Sequence, residues 1–178
     1  MTKAALAQEI MRTAHLTGNF TLRSGAISNE YFDKYLFESK PQLLRAIAEH
    51  LAPLVPKEIE VLAGLEMGGI PIVTALSLAT GLPATFVRKK AKDYGTRKSA
   101  EGAQVYGKTV LVIEDVITSG GQVILSAIDL KNTGANIHSV LCVIDREQSG
   151  AEKLTAAGLT MNALFTMSEL KASVSEGA

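Results

Sequence analysis

The residues best suited to chemistry lie together in positions 110–121. An apolar run, Val110-Leu-Val-Ile113, is followed by Glu114 and Asp115 and then by Thr118, Ser119, Gly120 and Gly121. The glycines let backbone N–H groups approach an anion, and Thr118 and Ser119 add hydroxyl donors beside it. Two adjacent carboxylates would repel a phosphate placed on them, so they suit a polyol, most simply the vicinal hydroxyls of a ribose. The two halves together suit a phosphorylated sugar. On residue types alone, an ordinary strand-to-helix turn with an acidic cap accounts for the stretch about equally well. No Gly-Lys-Ser/Thr follows the glycines and no G-x-G-x-x-G opens a helix here, so the stretch is neither a Walker A loop nor a dinucleotide fingerprint.

Three further groups carry chemical potential. Gly64-Leu-Glu-Met-Gly-Gly-Ile-Pro71 is a second glycine-rich junction whose amides could hold another anion, although glycine pairs at such turns are more often structural. Residues 88–102 pack six cations into a stretch too polar and aperiodic to form a packed element. Charge runs of this kind usually form a solvated loop, but a diphosphate leaving group would need cations that close over it and exclude water. Arg146, in Ile144-Asp-Arg-Glu147, has a planar guanidinium that can pair both oxygens of a carboxylate, although an arginine at a strand end is by itself more often structural. His15, His50 and His138 show neither metal-ligand spacing nor a nearby nucleophile, and no protein metal ligands are assigned. Cys142, inside an apolar run, reads as a small buried hydrophobe, and the methionines as packing residues.

Periodicity supplies the elements that must position these groups. Residues 3–16 read as an amphipathic helix and 17–37 as a polar, aromatic segment forming a small flap. Pro41 opens a helix reaching Leu51, which Pro53 and Pro56 close. Strands are predicted near 60–64, 84–87, 109–114, 139–144 and 161–165, with helices near 69–80, 120–132 and 150–157. Such alternation implies a parallel sheet with right-handed crossovers, and the 110–121 junction then lies at the carboxyl ends of the strands. Gly134 suits a helix C-terminal cap, and the tail after Leu170 is expected to fray.

A chain of 178 residues with 47% hydrophobic content can bury one good core, so a single domain over 1–178 is expected. The 18 basic and 18 acidic residues balance, which argues against a nucleic-acid or anionic-membrane partner. Lys3, Gln8, Glu9 and Arg12 interrupt the apolar residues of the N-terminus, unlike a signal peptide, and no run of ~18 apolar residues suggests a spanning helix. A cytoplasmic location is expected.

The string Val110-Leu-Val-Ile-Glu-Asp-Val-Ile-Thr-Ser-Gly-Gly121 closely resembles the fingerprint of type I phosphoribosyltransferases, which bind 5-phosphoribosyl 1-diphosphate. Three supporting motifs resemble the orotate phosphoribosyltransferases within that group. Arg88-Lys-Lys-Ala-Lys-Asp-Tyr-Gly95 is similar to their mobile catalytic loop, Phe20-Thr-Leu-Arg-Ser-Gly25 to part of their hood over the base, and Asp145-Arg146 to their base-binding pair. The resemblance implies an α/β fold with a mostly parallel sheet flanked by helices. Residues 1–38 would contribute a helix and hood, and 88–102 a mobile catalytic loop. It implies transfer of the phosphoribosyl group to orotate, giving orotidine 5′-monophosphate and diphosphate in pyrimidine synthesis. Arg88, Lys89, Lys92, Tyr94, Glu114, Asp115, Val116, Ile117, Thr118, Ser119, Gly120, Gly121 and Gln122 would bind the donor, and Arg23, Thr118 and Arg146 the orotate. Lys92, Asp115 and Glu114 would be catalytic. Magnesium is implied, held mostly by the substrate, and so is a homodimer whose 88–102 loop serves the neighbouring subunit. Three positions depart from the pattern: Arg23 replaces a lysine, Tyr94 a histidine, and Gly68 the lysine that many relatives carry. They keep open a phosphoribosyltransferase for another base, and a non-catalytic nucleotide-sensing regulator is the reading from a different class.

Overall fold

The computed structural model describes residues 1–22, 25–89 and 99–175. Its N-terminal part begins with α1 (Lys3–Ala14), started by the Thr2 hydroxyl accepting from the Ala5 N–H. Leu6, Ala7, Ile10, Met11 and Ala14 recur on one face of α1, and that face is buried. The flap expected over 17–37 is an antiparallel hairpin, β1 (His15–Thr21) and β2 (Ile27–Phe32), followed by a short helix, α2 (Lys34–Glu38). The Asp33 carboxylate caps α2 by accepting from the Tyr35 N–H. α3 spans Pro41–Leu51, as Pro41 and the apolar spacing predict.

Six strands form the central sheet: β3 (Val61–Leu65), β4 (Ala84–Val87), β5 (Ala100–Gly102), β6 (Thr109–Ile117), β7 (Asn136–Asp145) and β8 (Thr160–Thr166). Their order is β5-β4-β3-β6-β7-β8, and every neighbouring pair is parallel except β4 with β5. Between them run α4 (Gly69–Thr80), α5 (Gly121–Asn132) and α6 (Gly150–Ala156), and α7 (Met167–Ser175) follows β8.

Strand side chains alternate between the two faces, and the core divides accordingly. Leu62, Leu111, Ile113 and Leu141 pack with α1, α3, α4 and α7, whereas Val61, Ala63, Val110, Val112 and Val140 pack with α5 and α6. Coverage on both faces explains why these strands read as unbroken apolar runs. Full burial of a side chain such as Leu62 or Ile113 contributes about 1.5–3 kcal/mol, so the sheet is a stiff platform for whatever its edge carries.

Three elements differ from the sequence-based expectation. β6 runs on through Asp115 to Ile117 where the strand was expected to end at Glu114, so both members of the acidic pair sit on the strand. β5 forms at the end of the stretch read as loop, because its backbone pairs with β4 whatever its side chains. α7 extends to Ser175 where fraying was expected after Leu170; Leu170 is buried and α7 packs along α1.

Candidate active site

The strand order sets the position of the site. From β3 the chain crosses to β4 on one side, whereas β6 to β8 build outward on the other. The carboxyl ends of β3 and β6 therefore flank a crevice of the kind that binds ligands in open α/β sheets. The loop after β3, residues 66–68, and the loop after β6, residues 118–120, both line a cleft of about 600 Å³ there. Lys34, Tyr35, Lys89 and Glu114 complete much of its wall.

Glycine shapes both loops. Gly120 has φ 69°, a left-handed conformation that turns the chain from strand into α5 and leaves that helix's first N–H groups facing the cleft. A Cβ on Gly68 would lie 1.5 Å from Asp115 Oδ2, so a side chain at 68 is incompatible with the position that carboxylate holds. Thr118, Ser119, Gly121 and Gln122 are exposed beside these amides, while Val116 and Ile117 line the cleft floor. The phosphate-binding half of the motif is thus assembled as its residue types suggest.

The acidic pair is less symmetrical than its sequence. Neighbouring residues on a strand point to opposite faces, and Glu114 lines the cleft whereas Asp115 is fully buried. The Lys34 ammonium, from α2, lies 2.6 Å from Asp115 Oδ2. One turn along α2, Glu38 is also buried beside Asp115, and neither of its oxygens makes a well-formed hydrogen bond among the described residues. Burial, with Asp115 next to it, pushes the Glu38 carboxyl up to about 9. Burial also raises Glu114 well above the usual carboxylate range. Asp115 is held below that range: burial opposes ionisation, but hydrogen bonding from Glu114 and the charge of Lys34 outweigh it. The net arrangement is one buried carboxylate, Asp115, paired with one lysine, with a carboxyl group on either side whose ionisation burial opposes. Sequence reasoning missed Lys34 and Glu38. The available signal was an i,i+4 Lys–Glu pair behind an N-capping Asp33, a pattern that surface helices also show.

Opposite the acidic pair, the Lys89 N–H donates to Glu66 Oε1. Arg88 sits at the end of β4, with its N–H bonded to the Ser99 carbonyl and its Nε 4.0 Å from Glu101. The chain thus departs after Lys89 and returns at Ser99 on the cleft side of the sheet. Lys92 and Tyr94 lie outside the described residues, as does Arg23.

Arg146 follows β7 directly, and its N–H donates to the Ile117 carbonyl at 2.9 Å, which places it next to the 118–120 loop. It lines a smaller pocket of about 190 Å³ together with Leu22, Glu30, Tyr31, Phe32 and Lys171. The hairpin forms the other wall, stiffened by the Phe20 and Tyr31 rings at 5.5 Å. His15 Nε2 lies 2.8 Å from Glu30 Oε2; this contact, with the charge of Lys171, holds the Glu30 carboxyl below its usual range. An aromatic, cation-bearing pocket beside an anion-binding loop suits a flat, negatively charged ring.

The sequence model of the phosphoribosyl transferase domain matches residues 37–162, and the fold and the cleft are those of that class of enzyme. An orotate phosphoribosyltransferase of Nocardioides sp. is 49% identical over 175 residues, covering 98% of both chains. A solved Mycobacterium tuberculosis H37Rv orotate phosphoribosyltransferase superposes with TM-score 0.86 at 30% identity, over 94% of this chain and 98% of that one. A second structure of the enzyme from that organism, in complex with 5-phospho-alpha-D-ribosyl 1-diphosphate, gives TM-score 0.82 at 27% identity, over 95% and 98%. This chain belongs to the orotate phosphoribosyltransferase family.

Proposed function

We propose that the chain transfers the phosphoribosyl group of 5-phosphoribosyl 1-diphosphate to orotate, releasing diphosphate and forming orotidine 5′-monophosphate. One observation carries this reading: the glycine-rich anion loop, the acidic strand end and Arg146 meet at the carboxyl ends of the adjacent strands β6 and β7. The loop amides and hydroxyls of residues 118–122 receive the 5′-phosphate. Glu114, and Asp115 behind it, hold the ribose hydroxyls. Arg146 pairs the orotate carboxylate, with Thr118 and Arg23 beside it and the hairpin as hood. The whole chain acts as one domain.

No covalent enzyme intermediate is needed. Bond breaking at the anomeric carbon runs ahead of attack, so positive charge grows on the ribose and negative charge on the leaving diphosphate. The carboxylates favour the first, and Arg88, Lys89 and Lys92 favour the second. Tyr94 adds a hydroxyl donor to the diphosphate where relatives have histidine. The stretch 88–102 closes over the donor of a neighbouring subunit in a homodimer. Magnesium fits this cleft as an ion borne by the donor. Glu66 and Glu114 of its wall would hold it, and they are fewer than an octahedral ion requires, which suits a metal that brings water and substrate oxygens with it. When bound it neutralises the diphosphate.

The experiment is a base panel. With magnesium and the phosphoribosyl donor, the purified protein should consume orotate and leave uracil, adenine, hypoxanthine and nicotinate. Preference for a base without a carboxylate would overturn the assignment of Arg146.

A further inference from the structure

The cleft must hold a ligand with two phosphate-bearing ends, yet its described wall is electrically modest. Among the described residues lining it, Lys34 and Lys89 are the cations, set against the carboxylates of Glu66 and Glu114. The 66–68 loop can add no cation, because any side chain at Gly68 would occupy the space of Asp115 Oδ2. Lys34 reaches the same spot from the other side. Its side chain is 31% exposed and lines the cleft, while its ammonium contacts a carboxylate with no exposure at all. A surface lysine seldom holds such a position, since ordering its long side chain for one ion pair costs entropy. Here α2 fixes it: Asp33 caps the helix, and Phe37 and Glu38 are buried.

We propose that Lys34 is a donor-binding residue, exchanging its contact with Asp115 for a diphosphate oxygen of the phosphoribosyl donor as the ribose hydroxyls reach Asp115. The exchange conserves favourable contacts. The ammonium passes from one anionic oxygen to another, and the carboxylate trades a cation for hydroxyl donors. The inference rests on the phosphoribosyl-transfer reading, and wild-type turnover with orotate is measured first so that failure of that reading is seen separately.

The decisive comparison uses Lys34→Met and Lys34→Arg. Calorimetric titration with the phosphoribosyl donor and magnesium should show Lys34→Met binding about 10- to 100-fold more weakly, the loss of one charge-assisted contact. Lys34→Arg should retain most of the affinity, and the KM for orotate should stay within about threefold in both. A folded Lys34→Met that binds the donor as tightly as wild type, or more tightly, would reduce Lys34 to a counter-ion of Asp115 and overturn the proposal. Should Lys34→Met fail to fold because Asp115 is left unpaired, Asp115→Asn removes that charge. Inorganic diphosphate then serves as the probe, since it needs no ribose contact. Asp115→Asn should bind diphosphate at least as well as wild type, and Asp115→Asn with Lys34→Met about tenfold less; equal binding by the two would overturn the proposal.

Discussion

Glu38 offers a pH experiment whose sign and size follow from its surroundings. The residue is 5% exposed, and its carboxyl, beside Asp115, is pushed up to about 9 from an ordinary value of 4.5. Between those two values the folded chain holds a proton that the unfolded chain has released. The folded state therefore binds more protons, and stability falls as pH rises through that window. Each pH unit is worth at most about 1.4 kcal/mol, so the whole window sets a ceiling of about 6 kcal/mol. Sharing of the proton with Asp115 brings the expected loss below that ceiling. Glu38→Gln removes this dependence while keeping a donor for Asp115. Glu114, raised in the same direction, cancels in the comparison, and Asp115, lowered, acts below the window. The chain has no tryptophan, so urea unfolding is followed by circular dichroism at pH 5, 7 and 9. The stability of wild type relative to Glu38→Gln should decline steadily across the three. Parallel profiles would refute the proton-sharing arrangement around Asp115.

Other outcomes follow from the same geometry. Arg146→Ala should raise the KM for orotate about 10- to 100-fold and leave the KM for the phosphoribosyl donor nearly unchanged; an unaltered orotate KM would remove Arg146 from the base pocket. Gly68→Ala forces Asp115 aside, costing about 1–3 kcal/mol in chemical unfolding and roughly 100-fold in kcat/KM, and normal values of both would mean that the 66–68 loop yields freely. Lys92→Ala should lower turnover strongly with an unchanged thermal melt, and unchanged turnover would take residues 88–102 out of the mechanism. Cys142 is fully buried, which pushes its thiol well above the usual range; it should resist a thiol reagent in the native protein and react once in urea, whereas prompt native labelling would contradict that burial.

The amino-acid sequence reveals the parts of this molecule that obey a period. The runs at Val110, Leu141 and Leu62 are apolar because both sheet faces are covered, and α3 starts at Pro41 and ends near Pro53 for local steric reasons. The anion loop was legible for a different reason: glycine is needed wherever backbone must turn left-handed or pass close, and Gly120 and Gly68 meet those two needs. What escaped the sequence depends on tertiary approach. β5 has three unremarkable residues and exists because β4 offers an edge. The division of labour between Glu114 and Asp115 follows from strand pleating, which adjacent letters do not display. Lys34 and Glu38 lie about eighty residues from the carboxylate they surround, on a five-residue helix without a period of its own. Gly68, which stands where many relatives carry lysine, looks like a lost contact in the sequence; in the fold it is the space that Asp115 occupies.

The central claim is that this cleft joins a phosphoribosyl group to orotate, and product identification tests it most directly. Purified protein would be incubated with magnesium, orotate and 5-phosphoribosyl 1-diphosphate, and the products separated and weighed by mass spectrometry. The account predicts orotidine 5′-monophosphate and diphosphate in equal amounts, formed at a rate proportional to enzyme. Diphosphate without the nucleotide, or no product from a protein that still binds the donor, would contradict it.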